Sequence, residues 1–493
     1  MGQILLIAVL LVPVIAIGGI VAARRQQNIR EAISLIASAL VFAAVVVLYQ
    51  KVMAGEHIGL NILEILPGIH LAFYIEPLGL VFALIASSLW FVTLVYAIGY
   101  MRGHHEKNQT RFYSLFALAI AAVMGIAFAE NLFTLFVFYE VLTLSTYPLV
   151  THAGTDKAKQ GGRTYLGILL ATSIIFFLTG IVATWVTAGT LSFTAGGIFN
   201  AEHSSIVVSI ILVLFVFGIG KAAMMPFHRW LPAAMVAPTP VSALLHAVAV
   251  VKAGVFSLLK VCVLLFGFDT LKSLPVTQFL LYFAAFSALV ASLIALRQEN
   301  LKARLAYSTV SQLAYVSVGA LLASKTGAIG SVLHIAMHAF GKITLFFCAG
   351  AILVAHHKTE VRELVGIGRR MPITMTAFFI GSLCIIGLPP TGGTWSKWYL
   401  LTGTLEAGDW PIMLMLLLGS LLSLGYLLPI VARAFFPEGN SAMYSKSDWR
   451  WSDIEEAPWP SLLAIVITAT MCVLLFIFPE FIYSLAHTGI LDT

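Results

Sequence analysis

The sequence predicts an all-α polytopic membrane protein of about fourteen transmembrane helices, and three observations carry that prediction. Apolar runs of roughly 20 residues, the length that crosses ~30 Å of hydrocarbon, fill nearly the whole chain. Of the 493 residues, 60% are hydrophobic and 10% charged, where soluble domains carry about 25% charged residues. Lysine and arginine also alternate from loop to loop as a multi-pass topology requires. The short alternating segments of a membrane β-barrel are absent.

The spans fall at 4–22, 31–50, 71–97, 111–129, 132–150, 163–188, 205–225, 240–266, 276–295, 303–322, 327–354, 372–388 continuing to about 405, 411–435 and 459–485. The first lacks a basic n-region and a small-residue cleavage site, so it reads as a retained span rather than a signal peptide. With these boundaries, 20 loop lysines and arginines share one side, and only Lys51, Lys272 and Lys325 lie on the other. One missed or invented span would scramble that asymmetry. The basic side is expected to be cytoplasmic, with both termini outside.

Residues 1–110 read as an N-terminal three-helix segment, and 437–493 as a cytoplasmic loop plus the last span. Between them, two spans are interrupted by helix breakers. Pro226 interrupts the seventh, and Pro389-Pro390-Thr391-Gly392-Gly393 the twelfth. The breaks are five spans apart. That predicts two inverted five-helix repeats, 111–270 (spans 4–8) and 271–436 (spans 9–13), with the site near the interruptions. Cys262, Cys348, Cys384 and Cys472 sit in apolar runs without a CxxC and read as small core residues.

Five lysines remain inside spans: Lys221, Lys252, Lys260, Lys342 and Lys397. Glu140 is the carboxylate near the middle of a span, and His246, His334 and His338 are also intramembrane. A charge at the bilayer centre costs at least ~2.5–3.5 kcal/mol, so six unpaired ones would cost about 15–20 kcal/mol. Lys260 lies near the outer end of its span, where snorkelling is a fair alternative. His334, His338 and Lys342 recur at i, i+4 and i+8, which makes a stripe about 12 Å long on one helix face. Lys252 and Lys260 have the same i, i+8 relation. Histidine exchanges protons near neutral pH, and burial favours the uncharged form of lysine. Such a row predicts proton translocation. HxxxH can bind metal, but no cysteine or carboxylate completes a set and Lys342 repels a cation. Haem ligation by the histidines is a further, weaker reading. No cofactor is expected, and there is no iron–sulfur spacing, nucleotide loop or evident quinone motif.

Six blocks then carry a resemblance: EPLGL (76–80), YEVLTLSTYPL (139–149), GKAAMMPFHRWLPAAMVAPTPVSALLHAVAVVKAG (220–254), NLKARLAYSTVSQLAY (300–315), HIAMHAFGKITLFFCAG (334–350) and GLPPTGGTWSKW (387–398). In this order they resemble the antiporter-like proton-translocating subunits of respiratory complex I and of Mrp monovalent cation/proton antiporters, over about residues 73–434. The resemblance implies that Glu140 pairs with Lys221, that His246 and Lys252 mark the eighth span, and that His334, His338 and Lys342 form the polar stripe of the eleventh. It places Lys397 at the end of the row on the broken twelfth span. Lys260 and His228 are exit or accessory positions.

The stretches RMPITM and PPTGGTWSKW look most like the D-type component of an Mrp antiporter in a prokaryotic cell membrane. Two alternatives stand beside it. One is the homologous component of a redox-driven complex, resembling the M-type component of complex I or belonging to a membrane-bound hydrogenase, whose partners would do the electron chemistry. The other is a self-standing transporter. The expected partners are other membrane subunits, protons and lipid, with no nucleic acid.

Overall fold

Backbone N–H and C=O groups cannot go unpaired in hydrocarbon, and this chain satisfies them almost entirely within helices. The computed structural model describes residues 1–436 and 453–491. Its helices are α1 (Gly2–Ala22), α2 (Gln27–Met53), α3 (Pro77–Gly103), α4 (Gln109–Ala127), α5 (Leu132–Val150), α6 (Asp156–Ala188), α7 (Ser205–Gly218) and α8 (Thr239–Phe266). There follow α9 (Pro275–Leu296), α10 (Leu301–Leu321), α11 (Lys325–His356), α12 (Pro372–Ile386), α13 (Gly393–Glu406), α14 (Trp410–Phe435), α15 (Trp459–Ile477) and α16 (Glu480–Leu491). Among the described residues, 11 helices are long and apolar enough to cross a membrane. The shorter apolar helices α7 and α12 each run into one of the breaks marked by proline in the sequence.

Three boundaries differ from the sequence reading. Residues 71–74 are not the start of a span but belong to β2 (Ile69–Tyr74), which pairs antiparallel with β1 (Gly59–Leu66). The hairpin turns at Gly68, whose φ of 81° glycine adopts without strain. Helix α3 starts only at Pro77, a residue suited to a first helical turn. The last span does not run through to 485. It stops at Ile477, and α16 starts beyond Pro479, which has no N–H to continue the ladder. Lys221 lies inside its break rather than just before it. Helix α7 ends at Gly218, and Gly220–Ala222 form a tight turn that leaves Ala223 at φ 52°. The polar stretch 437–458 falls mostly outside the described residues.

Helix α8 is 100% buried across its most apolar window and α11 89%, against 28% for α1, so α8, which carries Lys252 and Lys260, and α11, which carries Lys342, form the centre. Helix α11 packs against α8, α10, α12, α13 and α15. Helix α8 is regular at Thr239–Ala243 and Val250–Lys260. Wider turns, with N–H to the fifth carbonyl back, occur at Leu244–Val248 and Val261–Phe266. They close through Ala249 N to Leu244 O at 2.8 Å and Gly267 N to Cys262 O at 3.1 Å. Gly254 lets α8 touch the broken seventh segment backbone to backbone, because a Cβ there would lie 2.2 Å from the carbonyl carbon of Lys221.

Gly254→Ala is therefore expected to force α8 away from the Lys221 turn and destabilise the protein by about 1–3 kcal/mol, read by chemical unfolding in detergent. Gly18→Ala, with nothing within 4 Å of the new methyl, should be near neutral.

Candidate functional site

The break after α7 frees backbone groups, and Tyr139 of α5 and Trp230 of the broken segment answer them. The Lys221 N–H donates to Tyr139 Oη at 3.0 Å, and Trp230 Nε1 donates to the Gly220 carbonyl at 3.0 Å. The Lys221 side chain is fully buried. Its ammonium donates to the Tyr139 carbonyl at 2.8 Å and to Thr143 Oγ1 at 2.6 Å, and lies 3.0 Å from the centre of the Tyr139 ring. Glu140 is the next residue on α5 and is half-buried. Its Oε1 has no hydrogen-bond partner among the described residues, and no ion pair joins it to Lys221. The expected contact is thus replaced by a hydroxyl, a carbonyl and a ring.

The second part of the site is one connected row. Lys252, fully buried on α8, shares a hydrogen bond with Nδ1 of His338 on α11. The His338 ring stacks on His334, with centres 5.9 Å apart and planes 13° apart, as the i, i+4 spacing requires. His334 stacks in turn on Tyr315 of α10 at 5.7 Å, and its Nδ1 bonds Ser396 Oγ at 2.9 Å. Lys397 lies 4.8 Å from the Tyr315 ring centre and donates to the Ile386 carbonyl at 2.9 Å and to Ser420 Oγ at 2.8 Å. Lys342, four residues beyond His338 on α11, stands beside this row with no hydrogen bond or ring contact to it among the described residues; it bonds Ser308 Oγ at 2.8 Å, and Tyr426 Oη donates to the same hydroxyl at 2.9 Å.

The other predicted residues stand apart from this row. His246 is fully buried against Phe346, with ring centres 4.8 Å apart, and neither ring nitrogen has a hydrogen-bond partner among the described residues. His228 sits in the turn Phe227–Arg229, 6.1 Å from the Tyr307 ring. Lys260 does not snorkel. It is 1% exposed and ion-paired with Glu76. No side-chain hydrogen bond bridges Lys221 to Lys252 among the described residues.

Several groups escaped the sequence reading: Tyr139, Thr143, Ser308, Tyr315, Ser420 and Gln312. Gln312 is fully buried, and both amide atoms lack a partner among the described residues. It lies four residues after Ser308 and three before Tyr315, hence on the face of α10 that meets the row. The available signal was a polar face, with Ser308, Gln312 and Tyr315 at helical spacing within one apolar span.

Chemically, the row holds one hydrogen-bonded pair of titratable groups, and its other contacts, His338–His334, His334–Tyr315 and Tyr315–Lys397, are ring contacts. Lys252 and His338 can exchange a proton across their hydrogen bond, and stacking fixes the imidazoles in place.

Thr143→Val removes one acceptor from the Lys221 ammonium while keeping shape. The expected cost is about 1.5–3 kcal/mol in chemical unfolding, with Thr143→Ser near wild type.

Residues 129–423 match the family model described as NADH:quinone oxidoreductase/Mrp antiporter, TM. Residues 67–113 match that of the N-terminus of chain 5 of NADH-ubiquinone oxidoreductase (complex I). The chain is 35% identical over 365 residues to NADH-quinone oxidoreductase subunit N of Desulforudis audaxviator, covering 73% of this chain and 72% of that one. A protein of Staphylococcus saprophyticus named antiporter subunit mnhA2 is 28% identical over 443 residues, 85% of this chain and 54% of that one. NAD(P)H-quinone oxidoreductase chain 5 of Synechocystis is 31% identical over 351 residues, and the match spans 49% of its length. The chain thus spans about half the length of the last two relatives. Two solved structures share the fold. A chain of an archaeal membrane-bound sulfane sulfur reductase has a TM-score of 0.87 at 22% identity, covering 99% of this chain and 97% of that one. A chain of the Mrp complex of Dietzia has a TM-score of 0.86 at 21% identity, covering 100% and 97%.

Proposed function

Because the chain belongs to the NADH:quinone oxidoreductase/Mrp antiporter transmembrane family, we propose that it is a proton-translocating subunit of a multisubunit membrane complex with no catalytic chemistry of its own. Protons move along Glu140, Lys221, Lys252, His338, His334, Lys342 and Lys397. The observation that carries this reading is the unbroken contact sequence Lys252–His338–His334–Tyr315–Lys397 through the most buried helices. Glu140 acts as the switch. Its charge favours the protonated form of Lys221, and when it is screened or moved, desolvation favours release. His246, on the same helix as Lys252, is a further proton-carrying position. The inverted repeats 111–270 and 271–436 set one break near each end of it, with the basic loops on the cytoplasmic side of a prokaryotic cell membrane.

The parent machine is read first as an Mrp-type cation/proton antiporter, the chain standing in the place of its D-type component. Support comes from the antiporter relative, which matches the larger share of this chain. The second reading, a redox-driven complex, is favoured by the higher identity to a quinone oxidoreductase subunit. Copurification separates them: further antiporter subunits support the first, and iron–sulfur or nickel–iron subunits the second.

In everted vesicles, Lys221→Ala, Lys252→Ala and Glu140→Ala are expected to lower cation-dependent dissipation of the pH gradient by roughly 10²-fold, the contribution typical of a positioned proton-transfer group. Wild-type dissipation in Lys221→Ala would sink the reading.

A further inference from the structure

Among the described residues, one buried span lysine is left unused by that row. Lys260, two turns beyond Lys252 on α8, is 1% exposed. It is ion-paired with Glu76, donates to the Ala129 carbonyl at 2.7 Å, and lies 4.5 Å from the Phe193 ring centre. Glu76 is the extended residue that precedes α3, and it borders a cavity of about 600 Å³.

The cavity wall is itself titratable. Glu56, His57 and Tyr74 line it beside Glu76. His57 Nδ1 and Tyr74 Oη share a hydrogen bond of 2.8 Å, and Lys51 pairs with Glu56 at 2.7 Å. Desolvation, then the charges of Glu76 and Glu130, push the Tyr74 phenol above its ordinary value, so it remains a donor at neutral pH. Phe193 also lines the cavity and lies under the Lys260 ammonium, so Glu76 is the polar link between cavity and lysine. On the inward side, Ser257 lies between Lys252 and Lys260 in sequence. It is fully buried, and its hydroxyl has no partner among the described residues.

We propose that the Glu76–Lys260 pair is the portal through which the row exchanges protons with the face opposite the basic loops. The inference rests on the proton-translocation reading. In the outward direction, one proton leaves the Lys260 ammonium and joins the Glu76 carboxylate, so an N–H breaks and an O–H forms. The neutral acid passes it to water in the cavity. The Lys260 amine takes the next proton from the Lys252 side. Inward flow reverses each step.

A static strut would make the same contacts, and Lys260→Arg distinguishes the two. Arginine keeps the charge and the ion pair but does not release a proton. The complete complex is reconstituted in liposomes, and proton flux is read with an enclosed pH dye. Lys260→Arg and Glu76→Gln are expected to lower flux by at least about tenfold. Wild-type flux in Lys260→Arg overturns the portal. Lys221→Ala, run in parallel, separates the two failures. If it alone stops flux, the portal falls and the translocation reading stands; if it too leaves flux intact, the translocation reading falls. Ala195, on the cavity wall, gives a route free of assembly effects. Ala195→Cys is treated with a membrane-impermeant thiol reagent on the side opposite the basic loops. Labelling that blocks flux supports the portal. Labelling without effect, or no labelling from that side, overturns it.

Discussion

An ammonium group taken out of water must replace three donated hydrogen bonds, and the interior of this protein is arranged around that demand. Lys221, Lys260, Lys342 and Lys397 each reach a backbone carbonyl. For Lys397 that carbonyl belongs to Ile386, the last residue of α12, and for Lys260 to Ala129, just past the end of α4. Helix C-termini carry unpaired carbonyls and the negative end of the macrodipole, so they suit a buried cation. Aromatic faces supply the rest: Tyr139 for Lys221, Phe193 for Lys260 and Tyr315 for Lys397. Among the described residues, only Glu76 offers a full opposite charge in direct contact with a span lysine. The remaining lysines are held by dipoles and hydroxyls, which bind an ammonium without fixing its proton as firmly as a carboxylate does.

Lys252 is the exception to this scheme. Its hydrogen bond goes to a titratable ring nitrogen rather than to a carbonyl or hydroxyl. It therefore shares its proton with a group that can also carry it. The two helices that make this contact are the most deeply buried of the membrane-spanning helices described, which keeps the exchange away from bulk water.

Much of this was legible in the sequence because it rests on strong local signals. Apolar run length marked the helices, proline marked both breaks, and i, i+4, i+8 spacing put His334, His338 and Lys342 on one face. The cross-helix partners were not legible. Thr143, Ser308 and Ser420 are common residues in membrane helices, and only the packing of α5, α10 and α14 turns their hydroxyls toward lysines. Nothing in the sequence marks Tyr139 and Tyr315 as rings that face a cation. The hairpin was misread because its second strand is as apolar as a span and lies directly before one. Snorkelling stood as an alternative for Lys260 because Glu76, at the start of another helix, is 184 positions earlier in the chain.

The contact at Gly254 bears on how the site can move. With α8 pressed backbone to backbone against the Lys221 turn, these two segments have no slip plane between them. A change of partner by Lys221 then needs no sliding of these two segments and can come from rotation about its own four-carbon stem. Such rotation belongs to a faster class of motion than the sliding of whole helices. The pace of the first transfer would be set by a side chain, with the scaffold standing still.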